Sequence, residues 1–205
     1  MAERRRRRTE IIDKLRRGER MGNELPIKIT LMSGAELPKY ARPGDSGFDL
    51  VAQEDYVVEP GQTVKMRTGI ALEIPQGYEV QIRPRSGISA NTKLRVANSP
   101  GTGDSSFRGE ICVLVDNIAQ KEYEVDCDGL WPLCHNALHT LDGTGDSPLG
   151  NVLTEDSVPV ATYIIRKGER IAQAVIAPVY RAAFEVVAEL SETARGVSGF
   201  GHTGT

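Results

Sequence analysis

Five short clusters place Gly, Ser, Arg, Asn and Asp where the surrounding rhythm calls for apolar residues. The first is Gly44-Asp45-Ser46-Gly47-Phe48-Asp49-Leu50 and the second Arg83-Pro84-Arg85-Ser86-Gly87. The third runs from Asn98 through Gly101, Asp104 and Phe107 to Glu110, the fourth is Gly168-Glu169-Arg170-Ile171-Ala172-Gln173, and the last runs from Arg195 to Gly204. The second and the last have the make-up of anion sites. Glycines let backbone N–H groups approach an oxyanion, and an adjacent Arg adds a charge-assisted bond that can be bidentate. Ser86, between Arg85 and Gly87, supplies a hydroxyl donor at short range. Phe200 stands among glycines, where a flat ring suits stacking on a base. Asp49 and Asp104 are isolated carboxylates, suited to holding the waters of a Mg2+ ion or to activating a nucleophilic water. Taken singly, an Arg-Ser-Gly is a turn, a lone Asp is a solvated turn residue and a glycine-rich C-terminus is a frayed tail. Five such clusters in one chain point to chemistry.

The elements that must carry them are short. Glycine (21 residues) and proline (11) punctuate the chain, and between them lie stretches of period-2 alternation. Ile27, Ile29 and Leu31 form one such stretch; Val80 and Ile82 alternate with Glu79, Gln81 and Arg83 in another. Ile111, Val113 and Val115 follow, then Tyr163 and Ile165, then Val175 with its neighbours, then Val186 with Ala188. Turn signals at Glu59-Pro60-Gly61-Gln62 and Arg166-Lys167-Gly168-Glu169 complete the pattern of an all-β barrel or jelly roll. Helical periodicity is confined to Arg5–Arg17, where Ile11, Ile12 and Leu15 share a face. The stretch from Asp126 to Ser157 breaks the strand rhythm. It holds the single Trp and two residues each of the three His and three Cys, and it reads as an insertion.

The chain has 205 residues, 40% of them apolar, which excludes wholesale disorder and fits one domain with appendages. Its charge is uneven. Residues 1–22 carry nine basic groups against four acidic, or +5, so the rest sums to −8 within a total of −3. A body that acidic is a poor partner for a nucleic-acid backbone, and weak contact of that kind is left to the Arg4–Arg8 run, whose plainer reading is a solvated helix or tail. No run approaches the 18 or so apolar residues of a membrane span, and the basic start lacks the apolar core of a secretory signal. An odd number of cysteines argues against a disulfide framework and for a reducing, cytoplasmic setting, or a host cytoplasm if the source is viral.

The five clusters, in this order, resemble the five motifs of the trimeric deoxyuridine triphosphatase (dUTPase) family. Pro84-Arg85-Ser86-Gly87, Asn98-Ser99-Pro100-Gly101-Thr102, and Arg195-Gly196 with Gly199-Phe200-Gly201 carry the resemblance, which spans residues 27–125 and 158–205. It implies a jelly-roll-like β-barrel assembled as a homotrimer with shared active sites. The domain plan is then a basic extension (1–24), a barrel (25–125 and 158–194), an insertion (126–157) and a tail that closes the active site (195–205). The implied reaction is hydrolysis of dUTP to dUMP and pyrophosphate with Mg2+ as cofactor. Asp104 matches the water-activating carboxylate, and Phe107 the aromatic against the deoxyribose. Asn98 and Gly101 match the hairpin that reads uracil, while Arg85, Ser86 and Gly87 match contacts to the α- and β-phosphates. Asp49 matches the carboxylate near the Mg2+ waters, and Gln173 a phosphate contact. Arg195 and the loop Gly199, Phe200, Gly201, His202 and Thr203 match the closing tail, with Phe200 stacked on uracil.

Some residues depart from the family pattern. Phe107 stands where Tyr is usual, Gly103 where an aliphatic is, Ser198 in place of Gly and His202 in place of Ser. About 50 residues separate Asn117 from Gly168, where the family has a short hairpin. Cys127, Cys134, His135 and His139 invite a zinc reading, but the spacing is not a finger pattern; buried cysteines and surface histidines are expected instead. Some viral members of the family carry inserts that bind partner proteins, so residues 126–157, a phage-like insertion, are also a candidate partner surface. All five motifs lie outside that segment, which the sequence therefore predicts to be dispensable for catalysis. Two rival functions stand beside the hydrolase: a dCTP deaminase (alone or bifunctional) on the same fold, and a regulatory protein acting through the insertion.

Overall fold

The computed structural model describes residues 24–126, 129–135, 137–142, 146–148 and 157–197; the helix expected over Arg5–Arg17 and everything from Ser198 onward lie outside these. In chain order the first strands are β1 (Lys28–Leu31), β2 (Phe48–Val51), β3 (Tyr56–Val58), β4 (Thr63–Glu73) and β5 (Tyr78–Arg83). A six-residue helix α1 (Ser86–Asn91) follows, then β6 (Leu94–Val96), β7 (Gly101–Gly103) and β8 (Glu110–Asn117). Next come β9 (Tyr123–Asp126), β10 (Gly129–Pro132), β11 (Cys134–His135), β12 (Ala137–His139) and β13 (Asp146–Pro148). The last three are β14 (Val158–Pro159), β15 (Tyr163–Ile165) and β16 (Arg170–Pro178).

Three four-stranded sheets result, ordered β1-β4-β8-β6, β2-β16-β5-β7 and β13-β12-β15-β3. Two smaller pairs are β10-β9 and β11-β14. The final long strand β16 lies between β2 and β5, the non-sequential pairing of a jelly-roll-like barrel. Alternation places the core. Along β8 the side chains of Ile111, Val113 and Val115 are buried while Leu114 between them is exposed. They meet Met66 and Ile70 of β4, Phe48 and Leu50 of β2, and Val80 and Ile82 of β5 in one apolar cluster. Each such side chain contributes about 1.5–3 kcal/mol when taken fully out of water. Asn117 closes β8 as a buried polar residue whose needs are met. Its Nδ2 donates to the carbonyls of Val58 (3.0 Å) and Ala161 (2.8 Å), and its Oδ1 accepts from the Ala119 N–H (3.1 Å).

Two expectations need correction. Val186 and Ala188 are not in a strand: residues 179–193 have no regular structure, and Val186 is 99% exposed. Alternation there has no ladder partner among the described residues, and a strand is defined by its partner. The expected burial of Cys and exposure of His is also reversed where it can be read. Cys134 is exposed, whereas His135 and His139 are half-buried with ring centroids 5.4 Å apart. Cys127 lies outside the described residues, and among those described no group of three or more His, Cys, Asp or Glu is placed to hold a metal. No described helix is long and apolar enough to cross a membrane.

The segment 126–157 is joined to the barrel by backbone and by side chains. β12 pairs in parallel with β15 through His139 and Tyr163, and β15 pairs in turn with β3. Leu138 is fully buried with Val158 and Ile164 in a second small cluster, and Leu141 packs against the main core.

Asp55 fastens β3 to the turn before β16. Its Oδ1 accepts the Lys167 N–H (2.8 Å) and its Oδ2 the Arg166 guanidinium (3.0 Å). The Lys167 N–H first, and then Arg166, hold its carboxyl below the ordinary range. A lowered folded-state pKa means stability present above the unfolded value of about 3.9 and lost as pH falls through the folded one. The pair is half-exposed, so its worth is about 0.5–1 kcal/mol. Asp55→Asn should therefore lower Tm by about 2 °C at pH 7, and the difference should fade at an acid pH where the carboxyl is protonated in the folded protein too. Thermal melts of the two proteins across that range check it; an equal difference at both pH values would show that charge plays no part.

Candidate functional site

The sheet β2-β16-β5-β7 carries the first, fourth, second and third clusters on adjacent strands. Gln173 of β16 pairs with Asp49 of β2 on one side and with Arg83 of β5 on the other. β7 then pairs with β5, setting Gly101 opposite Ile82, Thr102 opposite Gln81 and Gly103 opposite Val80. Directly paired residues of neighbouring strands share a face. Asp49, Gln173 and Arg83 therefore lie on the outer face, while Phe48, Leu50 and Ile82 point into the core.

Asp49 organises this face. Its Oδ1 lies 2.9 Å from Arg85 Nε and its Oδ2 3.5 Å from Arg170 Nη1, with both partners part-exposed. Arg85 reaches back further, its Nη1 3.4 Å from the Arg170 carbonyl. Gln173 Nε2 donates to the Pro84 carbonyl at 2.9 Å and so ties β16 to the segment carrying Arg85. Ser86 and Gly87 open α1 and are exposed beside Arg85. These residues form one cationic patch built on a carboxylate.

Arg170 was not among the residues expected to act at the site. It precedes Gln173 by three, a spacing that puts two residues of a regular strand on opposite faces. A β-bulge between Arg170 and Ala172 inserts one residue, so Arg170 pairs with Val51 and returns to the face of Asp49 and Gln173. The sequence carries no clear signal for that irregularity.

The third cluster forms the edge of the sheet and the turn beyond it. Asn98 lies before β7, its carbonyl 3.1 Å from where a Cβ of Gly101 would stand. Gly103, a departure from the family pattern, has a packing reason. A Cβ on Gly103 would stand 2.5 Å from Val80 Cγ1, so the close approach of β7 to β5 excludes a larger residue without movement. Asp104 follows, exposed, and its carbonyl accepts the Phe107 N–H at 3.0 Å. The tip of the Phe107 ring lies close against Gly109, where a Cβ would stand 2.6 Å from its Cζ, and Phe107 remains 46% exposed. Arg108 folds back on the same turn, donating to the carbonyls of Ser105 (2.7 Å) and Phe107 (2.8 Å).

Arg195 stands in a turn in which the Gly196 N–H donates to the Thr193 carbonyl at 3.0 Å. Every residue from 178 to 197 is exposed. Gly199, Phe200, Gly201, His202 and Thr203 lie outside the described residues. Asp49, Arg85 and Gln173 are thus brought together, Asn98, Gly101, Asp104 and Phe107 follow one another along the sheet edge, and residues 195–197 belong to no strand.

The dUTPase family model matches residues 33–127 and 159–204, leaving out most of the insertion. A deoxyuridine 5'-triphosphate nucleotidohydrolase of Chlamydia caviae is 40% identical over 185 residues, covering 88% of this chain and 99% of the relative. One from Thermobifida fusca is 43% identical over 168 residues, 82% of this chain and 72% of that protein. Among solved structures, a Staphylococcus bacteriophage 80alpha dUTPase with dUpNHpp superposes with TM-score 0.75 at 28% identity, covering 89% of this chain and all of that one. A dUTPase of S. aureus phage phi11, described for its species-specific insert, gives 0.68 at 25% identity over 82% of this chain.

Proposed function

This chain belongs to the dUTPase family, and on that premise we propose how its residues divide the work of hydrolysing dUTP to dUMP and pyrophosphate. The observation that carries the reading is the adjacency of four motifs on the outer face of one sheet, with Arg85 already held by Asp49 at 2.9 Å. A guanidinium fixed before the ligand arrives spends little entropy on binding it. Arg85, Ser86 and Gly87 take the α- and β-phosphates, and Gln173 adds a further phosphate contact. Asn98 and Gly101 hold the hairpin against the uracil edge, and the exposed Phe107 ring forms a wall beside the deoxyribose. Arg195 and the loop Gly199–Thr203 close from the tail, with Phe200 over the uracil and His202 near the phosphates.

Asp104 holds a water and accepts its proton as the oxygen attacks the α-phosphorus in line, and pyrophosphate leaves from the opposite side. As an exposed carboxylate it acts more by positioning than by basicity. The donor set suits Mg2+ held through water. The described residues offer no cluster of carboxylates for direct ligation, and the ion typically keeps several waters when it rides on a triphosphate. Asp49 is the outer carboxylate, since each of its oxygens retains lone pairs beyond those taken by Arg85 and Arg170. Bound with the substrate, Mg2+ would neutralise charge on the departing pyrophosphate.

The fully exposed segment 178–197 supports a homotrimer with shared sites, because side chains such as Tyr180, Phe184 and Leu190, each at least 88% exposed, call for cover. Exposed Leu130 and Trp131 on β10 favour a second role for the insertion as a partner surface, which pull-down with and without residues 126–157 checks.

Assaying dUTP and dCTP side by side tests the hydrolase against a deaminase. Pyrophosphate from dUTP and no ammonia from dCTP is expected; ammonia release would transfer the assignment to the deaminase. Sugar discrimination gives a sharper test. Phe107→Ala should cut the dUTP/UTP ratio of kcat/KM about tenfold to hundredfold, through lost packing and a new space for the 2′-hydroxyl. Phe107→Tyr keeps the wall and should change rates only modestly. An unchanged ratio in the alanine variant would place discrimination elsewhere.

A further inference from the structure

The helix that presents Ser86 and Gly87 is weakly built. α1 has six residues, no side-chain bond at its N-terminal cap and no buried residue. A helix of that length has no stability of its own in water, so its place is set by what it packs against. Its apolar anchor is Ile88, which is half-buried and packed against the main core. Ile88 borders a cavity of about 10 Å³ together with Pro84, Arg85 and Ser89 on one side and Leu94, Ile165 and Ile171 on the other. That space admits no more than about one water, and most of its lining is apolar. Among the described residues, Leu141 is the one member of segment 126–157 on this wall.

Leu141 is held there by β12, which ends two residues earlier. The His139 N–H donates to the Thr162 carbonyl at 2.9 Å, and the His139 ring packs on Tyr163 with centroids 5.5 Å apart. The Tyr163 hydroxyl accepts the Lys93 N–H at 3.1 Å, just past the end of α1. The insertion therefore bears on α1 at two points, beneath Ile88 and through Tyr163 at its exit.

We infer that Leu141 is a positioning residue for the phosphate site: it completes the wall that seats Ile88, and through α1 it fixes Arg85 and Ser86 where the triphosphate arrives. This rests on the reading of Arg85 as a phosphate contact. It also reverses the expectation that the segment 126–157 is dispensable for catalysis.

The test compares Leu141→Ala with Leu138→Ala, a fully buried residue of the insertion that lies in the separate cluster with Val158 and Ile164. Steady-state kinetics on dUTP at 25 °C and thermal melts are measured for each. Leu141→Ala should raise KM about three- to tenfold with kcat within about twofold, because the site is displaced while Asp104 is untouched. Leu138→Ala should lower Tm at least as much and leave KM unchanged. Leu141→Met, which refills the wall, should restore KM. Leu141→Val should shift KM about twofold in the same direction, and it carries the test if the alanine variant does not fold. A KM in the Leu141 variants that matches that of Leu138→Ala would overturn the inference. Arg85→Ala separates the two layers. If it binds dUTP normally, the reading of Arg85 falls and the inference with it; if it loses binding while the Leu141 variants do not, the inference alone fails.

Discussion

Asp104→Asn should keep dUTP affinity close to that of the parent and lose about a hundredfold to ten-thousandfold in turnover, the range attributed to a positioned general base. The amide matches the carboxylate in size and still accepts through its carbonyl oxygen, but it cannot take the proton of the attacking water. The backbone argues that little else will change. Asp104 is exposed, and its contact with Phe107 runs through the main-chain carbonyl, so the turn and the ring against Gly109 should survive the substitution. Equilibrium binding of a non-hydrolysable dUTP analogue, measured beside single-turnover rates, separates the two effects. Turnover like that of the parent would remove Asp104 from the mechanism.

Ending the chain before Arg195 should leave a folded protein that hydrolyses dUTP poorly. Among the described residues this removes only Arg195, Gly196 and Val197, which are exposed and outside the core. The losses are instead those of ligand contacts. A charge-assisted bond from Arg195 to a phosphate contributes about 1.5–3 kcal/mol, and stacking of Phe200 on a base about 1–3 kcal/mol. Even the lower part of that range lowers kcat/KM about a hundredfold. The melting temperature and the oligomeric state should match those of the full chain. Full activity in the truncated protein, or failure to assemble, would show that the tail has another role.

Much of the barrel was legible because burial on one face writes period-2 alternation into strands such as β5 and β8. What alternation cannot show is the partner. Val186 and Ala188 carry the pattern without a ladder. Two further features were hidden for related reasons. α1 is too short for helical periodicity and lacks a side-chain cap, so Ser86–Asn91 reads as a turn. Arg170 reaches the site only because a bulge re-aims it, and a bulge leaves no mark in residue type. Gly103 was visible as an oddity, but its cause, the Val80 side chain of the neighbouring strand, is a long-range contact. Leu141 is one apolar residue in a segment without rhythm, and only the cavity beside α1 distinguishes it. The motif residues themselves stood out because polar types interrupt apolar strands, yet their order across the sheet, with β16 between β2 and β5, is a product of topology.

The central claim is attack by a water, held at Asp104, on the α-phosphorus. Hydrolysis of dUTP in water enriched with oxygen-18, with mass analysis of both products from a single turnover, tests it most directly. The account predicts one labelled oxygen in dUMP and none in pyrophosphate. Label in the pyrophosphate would mean attack at the β-phosphorus and would contradict the placement of Asp104.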